Sequence, residues 1–144
     1  FSFLFFLEKK GYNPSRLLTE KSGLKGLTGF NDFRDILSRM NKNKNCMLAY
    51  EMFVYQIVKI IGSYISVLNG LDNLVFTAKI GENVARLRED VCNHLSFLGV
   101  KINKEKNKSN SEIISSAKSK VKVWVKKTNE EKMAVEEVLK IYKN

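Results

Sequence analysis

Between residues 70 and 98 the hydrophobic pattern changes period across one short turn, and few folds accommodate that change. Leu74, Val75 and Phe76 form a continuous apolar run, Thr77 opens a stretch of small residues containing Gly81, and apolar positions then recur at Val84, Leu87, Val91, Leu95 and Leu98. The first run reads as a strand buried on both faces, and the later spacing as a helix from Val84 to Leu98. The turn over 77–83 therefore joins the end of a strand to the start of a helix, where unpaired amides and the helix dipole favour a phosphate. An ordinary strand-to-helix joint has the same spacing, so spacing alone leaves both readings open.

The rest of the chain supplies partners for this unit. Residues 1–10, FSFLFFLEKK, read as the buried face of a truncated helix closed by Gly11; the apolar run is too short for a bilayer and lacks the basic start of a signal peptide. Asn13 and Pro14 fit the first turn of a second helix running toward Lys21. Residues 22–31 carry three Gly among small polar residues and read as a loop that delivers Asp32, Phe33 and Arg34. An aromatic flanked by a carboxylate and a guanidinium could stack a base, accept ribose or amine protons and pair with phosphate. The alternative is a plain helix start, with Asn31 as the cap and Asp32 on the dipole. After a polar connection over 41–45, residues 46–68 read as a helix apolar on most of its circumference. Glu51, Gln56 and Lys59 interrupt it, which favours a core or dimer-contact helix over a membrane span. Gly70 ends that helix.

Beyond Gly99 a short strand over 100–103, a Lys, Asn and Ser loop to about residue 110, and a brief edge strand over 112–115 are expected. Val121, Val123 and Val125 alternate with Lys120, Lys122, Trp124 and Lys126, the pattern of a strand with one buried face. The last helix is expected over 128–144. Thr128 and Glu131 form a capping box there, the hydroxyl taking the N3 amide and Glu131 reaching back to the cap amide. Glu130 is left either as a surface carboxylate favoured by the dipole or as a ligand for Mg²⁺. Strands separated by helices make an α/β layer, and βαβ connectivity places the Thr77 turn at the carboxyl edge of the sheet.

Composition narrows the classes. With 144 residues, 44% hydrophobic and 28% charged, the chain has the balance of one globular domain. Its net charge of +10 comes from 20 Lys and only 5 Arg, beside 14 Asn. Base recognition and bidentate phosphate contacts favour Arg, so the charge reads as a solvated, compositionally biased surface and no nucleic-acid partner is expected. Cys46 and Cys92 lie far apart without a second Cys or His at ligand spacing, which suits reduced thiols in the cytoplasm better than zinc or a disulfide. His94 reads as a surface or half-buried residue of the 84–98 helix and not a catalytic one, and no hydrolase-type triad can be assembled.

Three segments, in order, resemble the acetate kinase family. GLDNLVFTAKIGENVARLRE, from residue 70, resembles the family's GLDAIVFTGGIGENS or FTAGIGENS; SGLKGLTGFNDFRDI, over 22–36, resembles SGLLGLSGxSxDxRD; and SKVKVWVKKTNEEKMA, over 119–134, resembles VKVxVIPTNEExxIA. The resemblance implies the second, C-terminal domain of the two-domain, ribonuclease H-like fold shared with actin, Hsp70 and sugar kinases, with a mixed sheet and flanking helices, truncated on its N-terminal side. It implies the transfer of phosphate from ATP to acetate, giving ADP and acetyl phosphate, in acetate metabolism, with propionate kinase as near neighbour and an inactive remnant or dimerisation module as alternatives. Nucleotide-binding residues carried over are Asp32, Phe33, Arg34, Lys79, Ile80, Gly81, Glu82 and Asn83. Glu130 is carried over as the carboxylate for Mg²⁺. A cytoplasmic homodimer, with neither nucleic acid nor membrane as partner, is implied. The acetate pocket and the catalytic residues of the family's first domain have no counterpart here, so the chain alone is expected to be inactive. Two departures stand out. Lys79 replaces a Gly where backbone is expected to approach the nucleotide, and KKTNEE replaces IPTNEE, which brings Lys126 and Lys127 toward the metal carboxylate.

Overall fold

Side-chain caps open the helices that start at Pro14, Phe33, Lys44 and Lys104. The computed structural model describes residues 2–129 together with Met133, Val135, Val138, Leu139 and Ile141. It divides into two compact units, Phe1–Gln56 and Ile57–Asn144.

In the first unit, α1 (Ser2–Lys9) ends in a left-handed Gly11, with the Gly11 amide on Glu8 O at 2.9 Å and the Tyr12 amide on Leu7 O at 3.0 Å. The expectation of a buried face for α1 is corrected: Phe3, Phe5 and Phe6 are 69%, 65% and 53% exposed. Five consecutive apolar residues go round the whole circumference of a helix, so α2 (Pro14–Glu20), the element packed on it, covers only part. Asn13 caps α2 by accepting the Arg16 amide, with Pro14 at the first position. The expected Gly-rich loop contains a helix, α3 (Gly23–Thr28), ended by a left-handed Gly29. Gly26 lets α3 lie against Lys21, since a Cβ there would sit 2.5 Å from that carbonyl oxygen.

Next comes α4 (Phe33–Arg39), and then α5 (Lys44–Leu68), which Asn43 opens by accepting the Asn45 and Cys46 amides. Phe33, Ile36 and Met40 are buried with Cys46, Ala49, Tyr50 and Val54 to form this unit's core. By length and composition α5 could cross a bilayer, but its first half buries these four residues. The reading of the helix as buried core fails for its second half, where Ile60, Tyr64, Val67 and Leu68 are each more than half exposed.

In the second unit, β1 (Asn73–Phe76) and β2 (Lys122–Val125) pair in parallel, with Leu74 opposite Val123 and Phe76 opposite Val125. Those four side chains are buried. The expectation of a strand buried on both faces is corrected, because Asn73 and Val75 are exposed. The outer face of the pair carries Trp124, whose indole donates to Asn73, with Lys122 and Lys126 over its ring at 5.0 and 5.1 Å.

The crossover between the strands holds α6 (Ala78–Asn83), α7 (Ala85–His94), a 3₁₀ turn (Ser96–Leu98) and α8 (Lys104–Lys108). Residues 112–116 run antiparallel beside β2, the Ile114 amide bonding to Val123 O and the Val125 amide to Glu112 O, both at 2.9 Å. A second antiparallel bridge joins Ile102 to Ser115, so isolated bridges stand where short strands over 100–103 and 112–115 are expected. The expected loop to residue 110 contains α8, capped by Asn103 accepting the Lys106 amide, with Glu105 in its first turn. Leu87, Val91, Cys92, Leu95, Val100, Ile114 and Val121 join the four strand residues as the buried apolar side chains among the described residues of this unit. His94 is exposed, as expected. Of the last helix, the five described residues past 129 are helical, and the Met133 amide bonds to Asn129 O at 3.2 Å.

Candidate functional site

The turn after β1 is itself helical, which corrects the single helix expected over 84–98. Val84 closes α6, its amide bonding to Ile80 O, and opens α7, its carbonyl accepting the Arg88 amide. The helix start that follows the strand is therefore at Ala78, well ahead of Val84, where the apolar period begins. Ala78 has φ 59, a left-handed conformation that is rare outside Gly and costs about 1–2 kcal/mol. Lys79 is not among the positive-φ residues, so the left-handed position of this turn is 78 and not 79.

Gly81 is buried on the end of β1, where a Cβ would stand 3.3 Å from the carbonyl carbon of Phe76. Its small size lets α6 fold back onto the strand. Because β1 and β2 are parallel, their carboxyl ends lie at the same edge of the sheet. A cavity of about 730 Å³ opens there, lined by Thr77, Ala78, Lys79, Ile80 and Glu82 after β1 and by Thr128 and Asn129 after β2. A neighbouring cavity of about 470 Å³ is lined by Glu82, Asn83, Ser109, Asn110, Glu112, Val125, Lys126 and Lys127.

Arg88, on α7, holds this turn from inside and was not legible as a site residue. It has no exposed surface, and its Nη1 donates to the carbonyls of Gly81 and Glu82, both at 2.8 Å. Nε and Nη2 reach the Asn107 side chain and carbonyl at 2.7 Å, and Nη2 also reaches Asn110. Asn107 in turn donates to Ala85 O. The recorded acceptors of this guanidinium are carbonyl oxygens without formal charge, and burial lowers its pKa from the ordinary value. The Cys92 thiol, one turn along α7, is pushed up to about 12 by burial, an effect the Arg88 charge partly opposes.

Glu82 reaches across the sheet edge: its Oε1 accepts the Thr128 amide at 2.8 Å and the Thr128 hydroxyl at 3.1 Å. The cap amide assigned to Glu131 is thus taken by Glu82; Glu131, like Glu130, lies outside the described residues. Asn83 bonds back to the Lys79 carbonyl within α6. Lys126 pairs with Glu112 and lies over Trp124.

In the first unit the Asp32 carboxylate, not Asn31, caps α4. It accepts the Arg34 amide at 2.8 Å and the Arg34 guanidinium at 2.6–3.1 Å. Those hydrogen bonds, the side-chain ones foremost, hold its carboxyl down at about 2. The Phe33 ring points the other way, 4.6 Å from Phe53 and 6.3 Å from Tyr50, and is 8% exposed. It is a core residue, which corrects the expectation of a base-stacking ring. Among the described residues no group of three or more His, Cys, Asp or Glu could hold a metal ion. The one carboxylate described in the 730 Å³ cavity is already bonded to Thr128, so the described side chains do not fit a Mg²⁺ site by themselves.

A parallel strand pair with its helical crossover and a cavity at the shared carboxyl edge defines an α/β layer. The chain belongs to the acetokinase family, whose model matches residues 3–136. It is 44% identical to the acetate kinase of Carboxydothermus hydrogenoformans over 146 residues, 97% of this chain and 37% of that protein. It is likewise 44% identical to the acetate kinase of Thermotoga maritima, over 95% of this chain and 36% of that one. Among solved structures, Porphyromonas gingivalis acetate kinase matches with a TM-score of 0.80 at 34% identity, over 96% of this chain and 37% of its own. A propionate kinase from Francisella tularensis gives the same TM-score and identity, over 92% and 35%. The chain spans a little over a third of the curated relatives it matches.

Proposed function

We propose that this chain carries the nucleotide-binding part of an acetate kinase. The observation that carries the reading is the 730 Å³ cavity, lined by Thr77 to Ile80, Glu82, Thr128 and Asn129 just past the carboxyl ends of two parallel strands. Such an edge is where open α/β layers bind phosphorylated ligands. In this reading Lys79, Ile80, Gly81, Glu82 and Asn83 form the nucleotide turn of the second unit, and Asp32, Phe33 and Arg34 are a nucleotide-contacting segment of the first, Phe33 through its main chain. The Lys79 ammonium, exposed beside the cavity, is a point charge for phosphate.

The reaction is phosphoryl transfer from ATP to acetate, in which catalysis is mostly positioning and charge neutralisation. Mg²⁺ accompanies the nucleotide, with Glu130 as its carboxylate. Propionate is the alternative acceptor, because a propionate kinase structure matches this chain as well as an acetate kinase does. The exposed second half of α5 supports a homodimer contact, and the enzyme is read as cytoplasmic, with neither nucleic acid nor membrane as partner. The test is calorimetric titration of ATP into the 144-residue chain, followed by an acetyl phosphate assay after joining it to the remaining segment of the C. hydrogenoformans relative. Saturable ATP binding alone and activity only when joined are expected. Absence of both overturns the reading. Lys79→Gly is expected to weaken ATP binding, and an affinity increase would identify the lysine as an obstruction.

A further inference from the structure

We propose that Glu82 is a positioning residue, which latches the turn after β1 to Thr128 after β2 and thereby sets the opening of the cavity between them, instead of contacting the nucleotide. The inference rests on the nucleotide reading of that cavity. One carboxylate oxygen accepts two donors of the same residue, the amide at 2.8 Å and the hydroxyl at 3.1 Å. The two residues are 46 positions apart, so the contact spans the sheet edge and has no local substitute. Hydrogen bonds to a carboxylate are about twice as strong as neutral ones, whereas a carboxylate turned toward a polyphosphate meets like charge. Glu82 is also held from behind, its carbonyl bound to Arg88 at 2.8 Å, so main chain and side chain are tethered in opposite directions. The same residue lines both the 730 Å³ and the 470 Å³ cavities. Thr128 gains an acceptor for an amide that a helix start leaves without a partner in its own helix.

The test uses the 144-residue chain with two readouts, hydrogen exchange at the Thr128 amide and ATP affinity. Glu82→Ala is expected to speed exchange at Thr128 roughly tenfold, with Glu82→Gln in between because the amide oxygen still accepts. Glu82→Ala and Thr128→Val are each expected to weaken ATP binding about three- to tenfold, and the double variant no more than Glu82→Ala alone, the mark of one shared interaction. Unchanged exchange in Glu82→Ala overturns the latch whatever ATP does. If Glu82→Ala weakens ATP binding while Thr128→Val does not, or if the two effects add, Glu82 is a direct ligand and the proposal fails. Faster exchange in the variant, from a wild-type chain that binds no ATP, supports the latch and overturns the nucleotide reading instead.

Discussion

The two segments assigned to the nucleotide are built in opposite ways. Asp32 and Arg34 are held by their own neighbourhood: a carboxylate caps the helix that follows it and pairs with a side chain two positions on, on an exposed surface. The turn over 77–83 is held through long-range links: Thr128, 46 positions on, bonds Glu82 across the sheet edge, and the Arg88 that holds the Gly81 and Glu82 carbonyls is itself fixed by Asn107, 19 positions further on. A local device costs little to form and yields easily to solvent and salt. A long-range one exists only once the unit has folded, and it can then hold strain such as the left-handed Ala78.

The largest effect should follow from Arg88→Ala, which orphans the Gly81, Glu82 and Asn107 carbonyls and leaves a cavity; a loss of about 3 to 5 kcal/mol in urea melts is expected. Arg88→Lys should recover part of it. If Arg88→Ala melts like the wild type, the distinction between the two segments collapses. Gly81→Ala is next. Its Cβ must push α6 away from the Phe76 backbone, costing about 1 to 2 kcal/mol and weakening ATP binding as the cavity shifts. A wild-type melt with weaker ATP binding would instead place the loss in ligand contact.

Ala78→Gly should act in the other direction, stabilising by roughly 0.5 to 1 kcal/mol as the left-handed penalty is removed, less the greater freedom of Gly in the unfolded chain. A lower melting midpoint for Ala78→Gly would mean that Ala78 is not strained in solution. Smallest is Asp32→Ala, and its effect depends on pH. The folded carboxyl, near about 2, lies below its ordinary 3.8, so its contribution is present above that ordinary value and lost as pH falls through about 2. The difference in melting between wild type and Asp32→Ala should therefore be constant above about pH 4 and shrink below it. A difference that grows on acidification would reverse the sign and dissolve the local pair.

The sequence by itself determined whatever depends on neighbours in the chain. The valine alternation around 123, the helix start at Asn13 and Pro14 and the Gly11 stop involve residues within a few positions of one another. The three family segments are equally local in wording, so they could be read directly. Only the tertiary structure decided which groups are buried and what they hold. Arg88 sits on the polar edge of an amphipathic pattern, and Asn107 stands in a Lys and Asn stretch that resembles solvated surface; neither type nor spacing distinguishes them from exposed residues. Their role comes from a contact spanning 19 positions, as that of Glu82 comes from one spanning 46. Phe33 is the converse case, a ring between two charges that reads as a ligand platform until Phe53 and Tyr50 are found beneath it. Burial and long-range hydrogen bonding depend on which segments meet, and nothing in the residues on either side of a position records that meeting.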